Sequence, residues 1–175
     1  FLIRIEDIDL ARARPEFVAG VFEDLAWLGI TWDAPVLRQS EHFDRYRAAA
    51  RHLDGLGLLY PCFATRAEIA AVTNPNACDP DGAPLYSGLH KNLTPAEIAR
   101  RKAAREPFVL RLNMAMALAL ARTKLGPAIL TFTELSEDQR GRIVVADPAR
   151  WGDPVIVRKE TPTSYHLSVV VDDHH

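Results

Sequence analysis

The chain opens with an apolar stretch that leads directly into three carboxylates. Residues 1–5, FLIRI, are typical of a strand, and Glu6, Asp7 and Asp9 follow them. A strand that is buried on both faces of a parallel sheet is a near-continuous apolar run. Open α/β sheets bind their ligands beyond the carboxyl ends of their strands. The opening stretch therefore predicts an α/β fold with a ligand-binding edge at these acids.

Acids this close together repel one another unless cations compensate their charge. The nearby Arg4, Arg12 and Arg14 are candidate partners, and the amino group of a ligand is another. We expect Asp7 and Asp9 to form supporting ion pairs with these arginines. The alternative is a strand end whose acids are all solvated and paired, with no ligand.

The composition restricts the class of protein. The chain is 48% hydrophobic and 25% charged, which is ordinary for a globular protein. We expect neither a bilayer-spanning segment nor a signal peptide. Its two cysteines imply no disulfide framework. A net charge of −2 argues against a broadly basic nucleic-acid binder, although a local basic patch stays open. We expect a cytoplasmic monomer without membrane contact.

The first third of the chain predicts a strand followed by two helices. Pro15 suits the first turn of a helix, and apolar residues recur at helical spacing until Gly29. Ser40 is a good N-cap for a second helix, which Gly55 and Gly57 close. This order is part of an α/β unit.

The middle of the chain predicts short elements separated by a long loop. Residues 60–63 are strand-like, Thr65 and Thr94 each begin a capping box, and residues 73–90 are rich in loop-forming residues. The stretch after Tyr165 fits either a strand or a buried helix. Further strands are predicted over 107–112, 128–133, 142–146 and 154–158, and a helix over 113–124.

Several separate stretches resemble motifs of the glutamyl-tRNA synthetases. Their order and spacing follow that family, which makes the combination more specific than any single motif. The matching stretches are FLIRIEDID over 1–9 followed by Arg12, Arg14 and Pro15, LAWLGI over 25–30 followed by Trp32 and Asp33, LRQSE over 37–41, YPCF over 60–63, SYHL over 164–167 and VDD over 171–173.

Within this family the details resemble the shortened paralogues, the glutamyl-Q tRNA(Asp) synthetases. YPCFATRAEI over 60–69 and DPDGAPLY over 79–86 are similar to their sequences. Val169 stands where these paralogues usually carry Val and the glutamyl-tRNA synthetases usually carry Asn. The alternatives are the catalytic domain of a full glutamyl-tRNA synthetase, a non-catalytic tRNA-binding module derived from a synthetase, and a small zinc-dependent interaction module.

The resemblance implies a class I Rossmann-type parallel sheet, incomplete at both ends, with an α+β insertion. Residues 1–59 would be its first part, 60–152 the insertion and 153–175 the start of the second half. The implied activity is activation of L-glutamate by ATP with Mg²⁺, then transfer of the glutamyl group to queuosine of tRNA(Asp). The HIGH-type and KMSKS-type motifs are not in this sequence. We therefore expect a segment of a longer protein, inactive alone, whose catalytic residues stay unassigned.

The resemblance assigns glutamate binding to Glu6 and Tyr165. A carboxylate at a strand end gives the substrate's ammonium group a fixed partner. The Tyr165 phenol can hydrogen-bond a carboxylate while its ring packs on the methylene groups. The alternatives are a structural ion pair for Glu6 and core packing for Tyr165. Asp172 and Asp173 are expected to cap a following helix rather than to line the site.

The densest basic cluster lies at 100–105, RRKAAR. Such a cluster can contact RNA phosphates, but a charge run of this size is more often a solvated helix face. We prefer the solvated face as the interpretation.

The resemblance also points to a zinc site that this sequence carries only in part. Typical members have Cys-x-Cys and then Tyr-x-x-x-Cys, and here the positions are Cys62-x-Ala64 and Tyr86-x-x-x-His90. Structural zinc requires four ligands, whereas Cys62, Tyr86 and His90 supply three, and Tyr is a poor ligand. The pattern favours a degenerate site without metal, with Zn²⁺ at these residues as the alternative.

Overall fold

The computed structural model describes residues 1–126, 130–137 and 140–174. Helices and strands are interspersed along these residues, with two short 3₁₀ turns at Gln39–Glu41 and Pro148–Trp151. The strands are β1 (Arg4–Ile5), β2 (Leu37–Arg38), β3 (Leu59–Cys62), β4 (Val109–Leu112), β5 (Thr131–Leu135), β6 (Gly141–Val145) and β7 (Val155–Val157). The helices are α1 (Pro15–Trp27), α2 (Phe43–Gly55), α3 (Arg66–Val72), α4 (Pro95–Ala103), α5 (Met114–Leu125) and α6 (Tyr165–Asp173).

The chain forms two compact units. The first unit combines residues 1–56 with the residues from Val155 onward. Within it β1 and β2 pair in parallel, with Arg4 opposite Leu37, and α1 lies between them in sequence, as parallel strands require a crossover connection. Helix α6 packs against α2 and β7. The parallel pair and its crossover helix confirm the predicted α/β class.

The second unit is the contiguous stretch Gly57–Pro154. Strands β3 and β4 pair antiparallel with Leu59 opposite Leu112, and β5 and β6 form a separate antiparallel hairpin. Buried apolar side chains of this unit cluster on β3 and just after it, among them Tyr60, Cys62 and Phe63. The unit is therefore a mixed α and β structure built around β3.

Local sequence signals predicted most helix starts. Pro15 is the first residue of α1, and the capping boxes at Thr65 and Thr94 are both present. The predicted loop over 73–90 contains a single isolated bridge, between Cys78 and Pro84, among the described residues.

The last described helix settles a choice that the sequence left open. The stretch after Tyr165 is the helix α6, and the Ser164 side chain accepts a hydrogen bond from the Leu167 N–H at its start. Of the strand predicted over 128–133, residues 128 and 129 lie outside the described residues. His175 lies outside them too. Within the described ranges no helix is long and apolar enough to cross a membrane.

Two predictions about the first unit are wrong. The opening strand is limited to Arg4–Ile5, with Phe1 and Leu2 exposed, because β2 offers only two residues for pairing. Ser40 does not cap α2, which begins after His42. The Ser40 N–H and hydroxyl instead both donate to the carboxylate of Asp7.

Candidate functional site

Arg4 joins two carboxylates in the first unit. Its Nε and Nη2 donate to Oε1 of Glu6 at 3.3 and 3.1 Å, and its Nη1 donates to Oδ1 of Asp173. Hydrogen bonding to Asp173, and then to Glu6, raises the pKa of the Arg4 guanidinium. The end of β1 and the end of α6 are thereby connected through one side chain.

The neighbouring Asp172 is held from the other side. The Tyr46 hydroxyl donates to its carboxylate at 2.9 Å, and Nε2 of Gln39 donates at 2.8 Å. Both partners are fully buried. Burial raises the pKa of Tyr46, and the hydrogen bond to Asp172 raises it further. The phenol therefore stays protonated as a donor to Asp172.

Asp7, the residue after Glu6, is buried, with 3% of its surface exposed. It accepts hydrogen bonds from the N–H and hydroxyl of Ser40 and from Nη2 of Arg38. Burial acts to raise the pKa of Asp7, but these hydrogen bonds outweigh it and lower the pKa below its usual value. Asp7 is thus an ionised support for the β1 edge.

The expected ion pairs of the opening acids are met only in part. Asp9 pairs with Arg12 as predicted, and also with Arg158. Asp7 pairs with Arg38 instead of one of the three arginines proposed for it, because Arg38 on β2 lies directly opposite Ile5. The sequence offered no local signal for either Arg38 or Arg158.

A cleft of about 1040 Å³ opens at this edge of the first unit. Arg4, Glu6, Asp172 and Asp173 contribute to its lining. Carboxylates flanked by a guanidinium group suit a ligand that carries an ammonium group, since the acids supply the counter-charge. Tyr165 is not part of this lining in the described residues. It begins α6, at the opposite end from Asp173, and is 55% exposed.

Asp172 and Asp173 do not have the predicted capping role. They are the last two residues of α6, and both side chains are occupied by partners on other elements. Because these contacts are far apart in sequence, a local capping pattern could not reveal them. Both acids line the cleft, which was the alternative that the sequence left open.

The three residues of the zinc pattern do come together in the second unit. The Tyr86 hydroxyl lies 3.2 Å from Sγ of Cys62 and accepts a hydrogen bond from the His90 N–H. Nδ1 of His90 accepts from the Phe63 N–H. Burial and the Cys62 contact raise the pKa of Tyr86 to about 12, and burial with the nearby Arg101 lowers the pKa of His90.

This donor set does not fit structural zinc. The Tyr86 phenol is protonated and Nδ1 of His90 is used by the backbone. The described residues hold no group of three or more His, Cys, Asp or Glu side chains placed to bind a metal ion, whereas zinc requires four ligands. Tyr86 instead links β3 to the loop, and Arg111 stacks on its ring at 3.7 Å.

A second buried acid, Asp153, was not predicted from the sequence. Its carboxylate accepts hydrogen bonds from the Tyr60 hydroxyl, Nζ of Lys91 and the Met114 N–H at 2.7 to 2.9 Å. Burial acts to raise the pKa of Asp153, but these donors outweigh it and lower the pKa. The available signal was an acid directly between Trp151-Gly152 and the apolar β7 strand.

The basic helix α4 is neither wholly solvated nor wholly available to a ligand. Arg101 pairs with Glu106 at 2.8 Å and packs over the Phe63 ring, while Lys102 packs over the ring of Phe108. Half of the cluster therefore helps to pack the second unit.

Comparison with known proteins identifies the family. The model of the family described as tRNA synthetases class I (E and Q), catalytic domain, matches residues 1–175. The chain belongs to this family. A solved structure of the glutamate-tRNA synthetase from Elizabethkingia anophelis superimposes with a TM-score of 0.69 at 22% identity, covering 99% of this chain and 35% of that one. The fold is therefore that of a class I synthetase catalytic domain.

Curated relatives carry two different names. A glutamyl-Q tRNA(Asp) synthetase from Rhodobacter capsulatus is 40% identical over 99% of this chain and 60% of its own length. A glutamate–tRNA ligase from Prochlorococcus marinus is 35% identical over 99% of this chain and 34% of its own length. The chain thus spans about a third to three-fifths of the length of these relatives.

Proposed function

We propose that the protein activates L-glutamate with ATP and Mg²⁺ and transfers the glutamyl group to queuosine of tRNA(Asp). The observation that carries the proposal is the 40% identity to the Rhodobacter glutamyl-Q tRNA(Asp) synthetase along 99% of the chain. Val169, at a position where the resemblance distinguishes the two groups, supports it. The ordinary glutamate–tRNA ligase is the second candidate, supported by relatives of 35% identity.

In this proposal Glu6 binds the ammonium group of glutamate. Its position directly after β1, in a cleft with Arg4, Asp172 and Asp173, supports that role, because a carboxylate on a rigid strand end keeps its direction. Tyr165 binds the substrate from the exposed start of α6. Residues 60–152 serve as the insertion of a cytoplasmic, monomeric enzyme.

The test uses the complete gene product and measures ATP–pyrophosphate exchange with glutamate in the absence of tRNA. We expect exchange, and we expect Glu6→Gln to lower kcat/KM for glutamate by about a hundredfold, since a charged partner of the ammonium is lost. Glu16→Gln is the matched control, because Glu16 is exposed and pairs only loosely with Arg14 at 3.8 Å. Residues 1–175 alone should show no exchange.

The outcomes separate the candidates. Exchange that requires tRNA would favour an ordinary glutamate–tRNA ligase, and its absence under both conditions would favour a non-catalytic tRNA-binding module. If Glu6→Gln and Glu16→Gln behave alike, Glu6 does not bind the ammonium group. Transfer to tRNA(Asp) with and without queuosine then identifies the acceptor.

A further inference from the structure

We propose that Arg4 is a positioning residue for glutamate recognition. Its guanidinium group, anchored by Asp173 at the end of α6, holds one oxygen of Glu6 so that the other oxygen faces the ammonium group of the substrate. This inference rests on the proposed function, because it takes Glu6 as the ammonium partner.

The donors of Arg4 are divided between two carboxylates. Nε and Nη2 both donate to Oε1 of Glu6, while Nη1 donates to Asp173. Within the described residues neither contact involves Oε2 of Glu6. Since a planar guanidinium fixes the direction of the carboxylate that it binds, Oε2 keeps a defined orientation in the cleft.

Glu6 needs such a partner because its side chain is 40% exposed and would otherwise sample several rotamers. Asp173 is itself 69% exposed, so alone it would be a weak anchor. Its neighbour Asp172, however, is held by the buried side chains of Tyr46 and Gln39. The end of α6 is thereby fixed, and Arg4 is fixed with it.

The net charge of the cluster explains why Arg4 does not prevent the substrate ammonium from binding Glu6. One guanidinium between two carboxylates leaves a net negative charge on the cluster of Arg4, Glu6 and Asp173. An ammonium group is therefore attracted to the cluster. Of the other charged residues that line the cleft, Glu41 and Arg45 carry opposite charges, and Asp172 adds a further negative charge.

The experiment measures exchange kinetics of the complete gene product with variants at Arg4. Arg4→Met keeps the aliphatic stem and removes the donors, and we expect KM for glutamate to rise about tenfold with KM for ATP unchanged. Arg4→Lys should restore part of the loss, and Asp173→Asn should give an intermediate KM. Arg47→Met is the control, because Arg47 lies on α2 and pairs with the exposed Asp44.

A double-mutant cycle shows whether Arg4 acts through Glu6. In a Glu6→Gln background, Arg4→Met should change KM for glutamate by less than about twofold if Arg4 acts through that carboxylate. Additive effects, a fall in KM, or equal rises in both KM values would overturn the proposal.

The same set of variants separates this inference from the proposed function. A harmless Glu6→Gln means that the assigned role of Glu6 is wrong, and the role of Arg4 with it. A damaging Glu6→Gln together with a harmless Arg4→Met overturns only the inference.

Discussion

Asp153 shows how a buried charge is accommodated in this protein. Only 8% of the residue is exposed, yet its carboxylate receives donors from β3, from the loop before α4 and from the first N–H of α5. The guanidinium group of Arg111 also donates to its backbone oxygen. A single acid therefore links four segments of the second unit.

We expect Asp153→Asn to destabilise the protein by about 2 to 3 kcal/mol, because it leaves Lys91 without a counter-charge and weakens charge-assisted hydrogen bonds. Urea unfolding at pH 7 measures the change in the free energy of unfolding. The control is Asp147→Asn, at an exposed acid whose side chain makes no capping hydrogen bond, and it should change stability by less than about 0.5 kcal/mol.

The penalty should depend on pH. The pKa of Asp153 is lowered in the folded protein, so its stabilising effect is complete above the unfolded pKa of about 3.9. It is lost as the pH falls through the folded pKa. The difference between Asp153→Asn and the parent protein should thus shrink below about pH 4. A difference that stays constant as the pH falls well below about 4 would contradict the ion-pair assignment.

Residue roles were predictable from the sequence only where the partners are near in sequence. Asp9 and Arg12 are three residues apart, and this pair was expected. The hydrogen bond between Tyr46 and Asp172 spans 126 residues, and that between Ser40 and Asp7 spans 33. Such contacts depend on the tertiary fold, so the spacing of residue types along the chain gives no sign of them.

At the scale of elements, helix starts were predicted well because capping is local. The boxes at Thr65 and Thr94 involve residues three positions apart, and the side-chain chemistry alone determines them. The capping prediction failed at Ser40 for the opposite reason. There a buried acid on another segment, Asp7, accepts the hydrogen bond of the Ser40 hydroxyl. Strand ends were less accurate because strand length depends on the partner strand.

The loop before α4 should keep its structure without metal. Tyr86 connects this loop to Cys62 and accepts a hydrogen bond from the His90 N–H, so a strong chelator should leave Tm unchanged. Tyr86→Phe should destabilise the protein by about 1 kcal/mol through lost hydrogen bonds. Thermal unfolding with and without chelator, together with metal analysis of the purified protein, measures both effects.

Tyr165→Phe is the matched control for this loop, because Tyr165 is exposed and belongs to the other unit. It should leave Tm nearly unchanged. Stoichiometric zinc, or a Tm that falls on chelation, would show that the three residues bind metal despite their hydrogen bonds.

At the scale of the whole molecule, the second unit is a single continuous stretch, Gly57–Pro154. It has its own buried residues around β3 and its own buried acid in Asp153. We therefore expect residues 57–154, expressed alone, to unfold cooperatively in urea, as a compact domain does.

The excised stretch also carries its own control. Asp153→Asn should lower its midpoint in urea, as in the complete protein, whereas Asp147→Asn should not. A gradual loss of circular dichroism without a transition would mean that this unit needs the rest of the chain to fold.

The α/β class followed from the sequence because an apolar strand followed by two helices is a regional pattern, although strand β2 between those helices was not predicted. The burial of α1 did not follow. Phe17, Val21 and Leu28 follow its apolar spacing, yet all three are exposed in the structure. An apolar stripe identifies a helix face, but it does not identify what covers that face.

The division of the first unit into two stretches also has a consequence for its synthesis. Tyr46 and Gln39 leave the ribosome well before Asp172, since all of Gly57–Pro154 is translated in between. At ordinary elongation rates this interval lasts roughly five to twenty seconds. During that time the nascent chain holds a phenol and an amide without the carboxylate that later receives them, while the intervening unit has time to fold first.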